Sequence, residues 1–377
     1  MERIGVGVVG CGNISDIYLS NLQDRFPQTE VVAVMDLDRS RAQQRAEEFN
    51  VRAVCPSVEE MVTSGEVSIV VNLTTPQQHV SVTRAALEGG KHVYVEKPLA
   101  LSREAGRELV TLAKQKGLML ACAPDTFLGS GLQTAQKLVI DGWIGRPLGG
   151  IAHLLRSGPE SWHPDPAFLY QLGGGPLWDS GPYFITALAY LLGPVERVMC
   201  SAKVTFAVRT VTSQVRFGEV ITVEVPTLFG ALLDFASGAM ISLVMSVDVY
   251  SSRLQDPRQH DHAIELYGTE GTLSVPSPCY FDGQLYYRQN GRPSWAELPG
   301  LCAVQGNSRG VGVADMASAL LNDRPPRLTP EMAYHTLDVL VSLDESWQTG
   351  RAVDVTSTYN PSEPMIVTGD PTGLGLL

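Results

Sequence analysis

The sequence predicts a chain in two parts: a doubly wound α/β sheet first, then an α+β domain with a large, mostly antiparallel open sheet. Two observations carry this. Up to about residue 123, short apolar runs alternate with longer amphipathic stretches, the rhythm of parallel βαβ units. Beyond it, β-type runs cluster between helical stretches, as in a sheet whose helices are segregated. The expected division is 1–123, 124–355 and an irregular tail over 356–377.

Residues 3–9 (RIGVGVV) read as a short buried strand, and a glycine turn at 10–12 leads into a helix over about 13–25. The next strand, 31–35, ends at Asp36. Helices follow near 39–49, 57–63, 78–89 and 102–116, with strands near 51–54, 67–72, 91–95 and 118–122. In the second part, helical stretches near 130–141 and 181–192 flank an irregular Gly/Pro-rich segment that begins at Pro147. Strand runs are expected over 195–208 and 220–225, and 227–235 turns through Ala236-Ser237-Gly238 into 239–249 as a hairpin. Further strands fit 262–268, 271–275 and 284–288, and helices near 310–322 and 330–348 close the unit.

Composition limits the function classes. With 377 residues, 44% hydrophobic and 18% charged, the chain can bury a core in each part, which excludes disorder as the dominant state. The net charge of −12 and the lack of a Lys/Arg run argue against nucleic acid or an anionic membrane as partner. The N-terminal apolar run is interrupted by glycines and no long uncharged stretch follows, so neither a secretory signal nor a spanning helix is expected. Six scattered cysteines without a C-x-x-C pair read as reduced thiols, and the expected location is cytoplasmic.

The strongest local pattern is Gly10-Cys11-Gly12-Asn13-Ile14-Ser15 between a strand and a helix, with Asp36 closing the next strand. This is the Rossmann arrangement for a dinucleotide. Gly10 makes the tight turn, Gly12 lets backbone N–H groups approach a pyrophosphate, and Asp36 accepts from ribose hydroxyls. Ser15 stands where a third glycine is usual. The charge of Asp36 favours NAD, while Arg39 and Arg41 keep NADP open by offering partners for a 2′-phosphate. At later strand ends, Thr74, Pro76 and His79 can line the ribose and nicotinamide side, His79 reading equally as a helix-start histidine with a local hydrogen bond, and Glu96-Lys97-Pro98 places a lysine directly after a buried strand. Desolvation there would lower its pKa toward acid/base use.

Three segments together, G-V-V-G-C-G-N-I-S, G-G-K-H-V-Y-V-E-K-P and G-G-G-P-L-W-D-S-G-P-Y, resemble the glucose-fructose oxidoreductase, inositol dehydrogenase and rhizopine-catabolism (Gfo/Idh/MocA) family of NAD(P)-dependent oxidoreductases. The resemblance spans residue 4 to about 350. It implies a Rossmann domain followed by a sheet domain whose open face forms an oligomer contact, hence a homodimer or homotetramer, and substrates that are sugars, polyols or their derivatives. The expected cofactor-binding residues are Gly10, Gly12, Asn13, Ile14, Asp36, Thr74, Pro76, His79, Glu96 and Lys97. Lys97, Asp179 and Tyr183 would then be catalytic, with tyrosine where a histidine is common and Thr186 three residues further on. Read from the residues, Asp179 is also a plausible N-cap of a helix starting near Ser180 or Gly181, and Tyr183 falls one turn later.

Trp162 and His163 offer a stacking surface and a hydrogen-bonding group for a sugar, so with Lys97, Asp179 and Tyr183 they are the expected substrate contacts. His260-Asp261-His262 resembles a metal cluster in composition only, and no metal is expected. Arg309, Asp315 and His335 read as residues of late core helices. The expected function is hydride transfer between nicotinamide and a hydroxyl-bearing carbon of a neutral sugar or polyol. The alternatives are an NAD-retaining glycosidase working by transient oxidation and a non-enzymatic dinucleotide or sugar sensor. Residues 1–123 hold 13 basic and 15 acidic side chains and residues 124–377 hold 15 and 25, so the acidity sits in the substrate half and favours a neutral substrate.

Overall fold

In the computed structural model, which describes residues 3–255, 262–302 and 304–365, the chain divides into two compact units. The first comprises Met1–Gly129 with Cys302–Leu337, the second Ser130–Leu301 with Asp338–Pro361. The expected contiguous second domain is therefore interrupted, because part of the late helical region packs with the first unit.

In the first unit, six parallel strands are ordered β3-β2-β1-β4-β5-β6: β1 Ile4–Val9, β2 Thr29–Met35, β3 Ala53–Val54, β4 Ile69–Asn72, β5 His92–Val95 and β6 Leu120–Cys122. The strand order reverses between β1 and β4, the place where such sheets bind ligands at strand carboxyl ends. Val6, Val8, Ile69, Val70, Val71 and Val93 are fully buried. At ~1.5–3 kcal/mol for each large aliphatic side chain, these runs fix the sheet. The intervening helices are α1 Ser15–Ser20, α2 Arg39–Glu48, α3 Val58–Thr63, α4 Pro76–Glu88 and α5 Arg103–Lys116. Local chemistry starts and stops them. Asp38, Ser57 and Ser102 accept from the first free N–H groups of α2, α3 and α5, and Gly117 at φ +64° ends α5. The expected first helix is shorter than its sequence run, because Asn21–Arg25 adopt a π turn.

The second unit holds α6 Ser130–Ile140, β7 Pro147–Leu155, α7 Gly175–Leu192 and β8 Val195–Lys203. A small antiparallel pair, β9 Val208–Thr210 and β10 Val220–Thr222, follows. Then come β11 Leu228–Phe235, β12 Met240–Ser246, β13 Ile264–Gly268, β14 Gly271–Val275, β15 Leu285–Gln289, β16 Ala296–Leu298 and, near the end, β17 Val353–Asp354. Nine of these strands make one sheet, ordered β16-β15-β14-β13-β7-β12-β11-β8-β17. Only the β7–β12 pair is parallel. Residues alternate in and out as expected of a half-buried sheet: Ile241, Leu243 and Met245 face the core, while Ser242 and Val244 face outward.

Three expectations change. The central strand β7 lies inside the segment read as irregular. Its Gly149 and Gly150 weaken the strand signal, yet a Cβ at either would collide with the Met240 or Glu265 carbonyl of a neighbouring strand. The run 195–208 breaks at Lys203, and its end joins the separate β9–β10 pair. Helix α7 begins at Gly175 rather than near Ser180, with Pro176 in its first turn and Pro182 inside it.

Helix α8, Val311–Leu321, belongs to the first unit, and the division between the units falls within α9, Pro330–Thr349. One buried acid anchors α8: Asp125 Oδ2 accepts from the N–H groups of Gly310 (2.9 Å) and Gly312 (3.1 Å). Burial pushes the Asp125 pKa up to about 6. The folded state thus holds its proton more tightly than the unfolded chain, whose aspartates titrate near ~4. Stability from this group is present at low pH and declines as pH rises from about 4 to about 6. In Asp125→Asn, which keeps an acceptor oxygen but does not titrate, that decline should vanish. The difference in unfolding free energy between the two proteins, from denaturant titrations, should shift by ~3 kcal/mol in favour of Asn between pH 4 and pH 7. A pH-independent difference would refute the assignment.

Candidate active site

The carboxyl ends of β1, β2 and β4 enclose a cavity of about 540 Å³. Gly10, Gly12, Asn13, Ile14, Asp36 and Thr74 line it, which brings together six of the expected cofactor residues. Gly10 lies at φ +97°, and a Cβ there would meet backbone atoms of Leu73 and Thr74 at 2.7–2.9 Å. Only glycine lets β1 pass so close to the end of β4. A Cβ at Gly12, by contrast, would have nothing within 4 Å, so its backbone faces open space. Ser15 is fully buried and donates to the Gly12 carbonyl at 2.6 Å, which uses its hydroxyl within the turn.

Asp36 is held by both carboxylate oxygens: Oδ2 accepts from Cys11 N–H at 2.7 Å and Oδ1 from Asp38 N–H at 2.8 Å. Each oxygen keeps a further lone pair, so the residues present fit a dinucleotide, with bare backbone for a pyrophosphate and a fixed acceptor for ribose hydroxyls. Arg41 lines the same cavity and lies 4.0 Å from Asp38, while Arg39 is the exposed first residue of α2.

Pro76, His79, Glu96 and Lys97 do not line this cavity. Pro76 opens α4, where its missing N–H is not needed. His79 departs from the expected ribose contact. It is 1% exposed, with Nδ1 2.7 Å from the Pro98 carbonyl and Nε2 3.0 Å from the Thr74 carbonyl, and burial pushes its pKa down. A neutral ring donates its single N–H to one of these two carbonyls, and it sits between the loops after β4 and β5. Asn72, fully buried at the end of β4, does similar work: Oδ1 accepts from the Thr74 N–H and hydroxyl, and Nδ2 donates to the His79 carbonyl.

Lys97 sits half-buried directly after β5. The preceding Glu96 accepts from the buried Tyr18 hydroxyl at 2.7 Å and from the Lys97 N–H at 3.0 Å. Tyr18 packs on Tyr94 with ring centroids 6.1 Å apart, and burial pushes both phenol pKa values up, so they stay neutral donors. A buried phenol therefore fixes the carboxylate that fixes the lysine's peptide.

In the second unit, Asp179 is the fifth residue of α7, whose N-cap is Gly174, so the capping role open to it from sequence is not the one it has. Its Oδ2 instead accepts from Arg156 Nη2 at 3.2 Å, and the same guanidinium nitrogen donates to Ser180 Oγ at 3.1 Å. Tyr183 follows one turn later on the same face, and Thr186 is buried. Trp162 is 67% exposed and stands edge-on to His163. His163 accepts at Nδ1 from Asp165 N–H at 3.0 Å, which leaves the proton on Nε2 as a donor.

Arg156, absent from the sequence-based site, is the main addition. Its signal, a cation just after a strand, was hidden because β7 itself was unread. Asp315 and His335 lie on α8 and α9, whereas Arg309 precedes α8 rather than lying in it. Asp315 is fully buried and accepts from Arg324 and Arg327 at 2.8 and 2.6 Å, His335 is fully buried, and Arg309 donates to Asn307. His260 and Asp261 lie outside the described residues. Among the described residues no group of three or more potential metal ligands occurs, and no helix is long and apolar enough to cross a membrane.

Residues 4–123 match the family model described as "Oxidoreductase family, NAD-binding Rossmann fold", and residues 132–274 match the "GFO/IDH/MocA C-terminal domain". The chain belongs to the GFO/IDH/MocA family. It is an NAD-binding oxidoreductase with the two-part architecture of that family. Among its relatives are the 1,5-anhydro-D-fructose reductase of Ensifer adhaerens, 27% identical over 65% of this chain and 67% of that one. The D-glucoside 3-dehydrogenase of Escherichia coli is 29% identical over 64% and 69%. A solved NAD binding oxidoreductase from Klebsiella pneumoniae superposes with a TM-score of 0.79 over 94% of this chain and 99% of that one, at 21% identity, and so shares the fold.

Asp36 gives a direct test of cofactor choice. Asp36→Asn keeps an acceptor for Cys11 N–H but removes the charge that repels a 2′-phosphate. The NADP to NAD ratio of dissociation constants, from fluorescence titration, should move toward NADP by about tenfold. An unmoved ratio would mean that Asp36 does not face the ribose.

Proposed function

We propose that this oxidoreductase transfers a hydride between NAD and a hydroxyl-bearing carbon of a neutral sugar, polyol or derivative. The observation that carries the reading is Lys97, set at the carboxyl end of a Rossmann strand with its peptide held through Glu96 by the buried Tyr18. A lysine so placed suits proton exchange with a substrate hydroxyl. The names of the reductase and glucoside dehydrogenase relatives support a sugar-like substrate. NAD is preferred over NADP in this reading because Asp36 leads the ribose edge of the cavity.

When bound, NAD supplies the hydride acceptor. Lys97 Nζ takes the hydroxyl proton, and Tyr183 hydrogen-bonds the substrate. Asp179, paired with Arg156, accepts from a neighbouring hydroxyl and orients it. Trp162 stacks on a ring face and His163 Nε2 donates to a further oxygen. The enzyme acts as a homodimer or homotetramer through the outward face of the nine-stranded sheet, where Met199, Leu232, Met240 and Val244 are exposed. Its six cysteines are all thiols, which suits a cytoplasmic setting.

Lys97→Ala should lower kcat by roughly 100-fold or more, the usual scale for losing a general acid or base. NAD affinity should stay within about threefold. A panel of sugars and polyols followed by NADH absorbance reads the first, and titration calorimetry the second. Unchanged turnover would reject the assignment of Lys97.

A further inference from the structure

Helix α7 carries Asp179 and Tyr183, yet its own backbone holds its first turns poorly. The N-cap must be a glycine, since a Cβ at Gly174 would lie 2.4 Å from the Phe168 carbonyl, and Gly175 sits at φ +78°. A glycine brings no side-chain oxygen to cap the free N–H groups that follow. Further on, Pro182 has no N–H, so the Trp178 carbonyl lacks its helical partner one turn ahead. The stretch that bears the substrate contacts therefore takes its position largely from side chains.

Two tethers supply it, both within the second unit. On one side Arg156 Nη2 donates to Asp179 Oδ2 at 3.2 Å and to Ser180 Oγ at 3.1 Å. On the other, Trp178 Nε1 donates to Asp344 Oδ2 at 2.7 Å. Asp344 lies in α9, and its second oxygen accepts from Trp347 Nε1 of the same helix at 3.1 Å. Leu340, one turn before Asp344, packs on α7 at Gly181, where a Cβ would come within 3.0 Å of its Cδ2. The contact at Gly181 and the indole bond at Trp178 together seat the start of α7 on α9. Burial pushes the Asp344 pKa up while both indole donors push it down, so this carboxylate, withdrawn from water, relies on them. Successive helical residues point about 100° apart, so the bonds at Trp178 and Asp179 grip the helix from different directions. One alone would leave the helix end free to turn about its axis. Both together fix its rotation, and with it the direction of Asp179 and of Tyr183 one turn later.

We propose that Asp344 is a positioning residue for the hydride-transfer reaction, acting through the Trp178 indole to set the rotation of α7 and so the aim of Asp179 and Tyr183. The inference rests on the reading of those two residues as substrate contacts and adds the group that places them. Trp347 shares the same carboxylate but belongs to α9, so its loss leaves the α7 tether in place.

The test uses the full-length enzyme with NAD and whichever of D-glucose, D-galactose, D-xylose, D-sorbitol and myo-inositol is oxidised fastest. Trp178→Phe, which keeps a ring but no donor, and Asp344→Leu should each lower kcat about tenfold or more, since a misplacement of ~1 Å can cost a factor of ~100. Asp344→Asn, whose one oxygen can still accept from Trp178, should recover kcat to within about threefold of the parent enzyme. Trp347→Phe should keep kcat within about twofold. NAD dissociation constants should stay within about twofold throughout, because the dinucleotide cavity is built from the first unit. Should Asp344→Leu fail to fold, Trp178→Phe set against Trp347→Phe decides the matter. Equal kcat losses in those two, or no loss in Trp178→Phe, overturn the role of Asp344 and leave the dehydrogenase reading standing. Turnover of no panel member by the parent enzyme overturns both.

Discussion

The close approach of β1 to the end of β4 at Gly10 is the constraint on which the dinucleotide region depends. No side chain fits there, because the Leu73 and Thr74 backbone occupies the space of a Cβ. The chain must leave β1 in a conformation open to glycine and turn at once into α1. That turn presents Cys11 N–H to Asp36, whose other oxygen takes Asp38 N–H and whose neighbour Asp38 caps α2. A single steric condition thus sets the ends of three strands and the starts of two helices, and the cavity is what remains between them.

The neighbouring strand ends are fixed by buried polar groups rather than by packing alone. Asn72, His79 and Glu96 each bind main-chain atoms of the loops beside them. Such bonds add little net stability when made, but leaving one partner buried and unpaired is costly. The loops after β4 and β5 therefore have one low-energy arrangement, and Lys97 inherits its position from it. The same logic holds for Asp125, whose burial raises its pKa while two glycine N–H groups at the start of α8 hold the carboxylate.

The first unit was nearly all legible in the sequence, because βαβ units declare themselves through local signals: apolar strand runs, serine and aspartate caps, and glycine turns. The second was legible only where strands alternate cleanly, as in the β11–β12 hairpin. Strand β7 escaped because its place at the centre of the sheet, between β12 and β13, demands the glycines that hide it. The start of α7 escaped for a related reason, since Gly174, Gly175 and Pro176 look like a loop and serve as a helix start. At the site, Gly10, Gly12 and Asp36 could be read from spacing alone. Arg156 could not, because its importance comes from a contact with a residue 23 positions away in another element. His79 was open to two readings, a ribose contact or a helix-start histidine with a local hydrogen bond, and the fold shows it buried beside the Pro98 and Thr74 carbonyls.

The acidic balance of the second part bears on the substrate more sharply once the arginines have partners. A net excess of acid there could have been offset locally by a few unpaired guanidiniums. Two in the second unit are each matched. Arg156 pairs with Asp179, and Arg209 lies between Glu160 and Asp248. Such pairs attract little at long range, since the fields of their members largely cancel. An anionic substrate would then have to break a pair or approach against the surplus of carboxylates. A neutral polyhydroxylated one can accept from the guanidinium hydrogens and donate to the carboxylates without disturbing either pair. Charge pairing, more than net charge, is what supports the proposal of a neutral, hydroxyl-rich substrate.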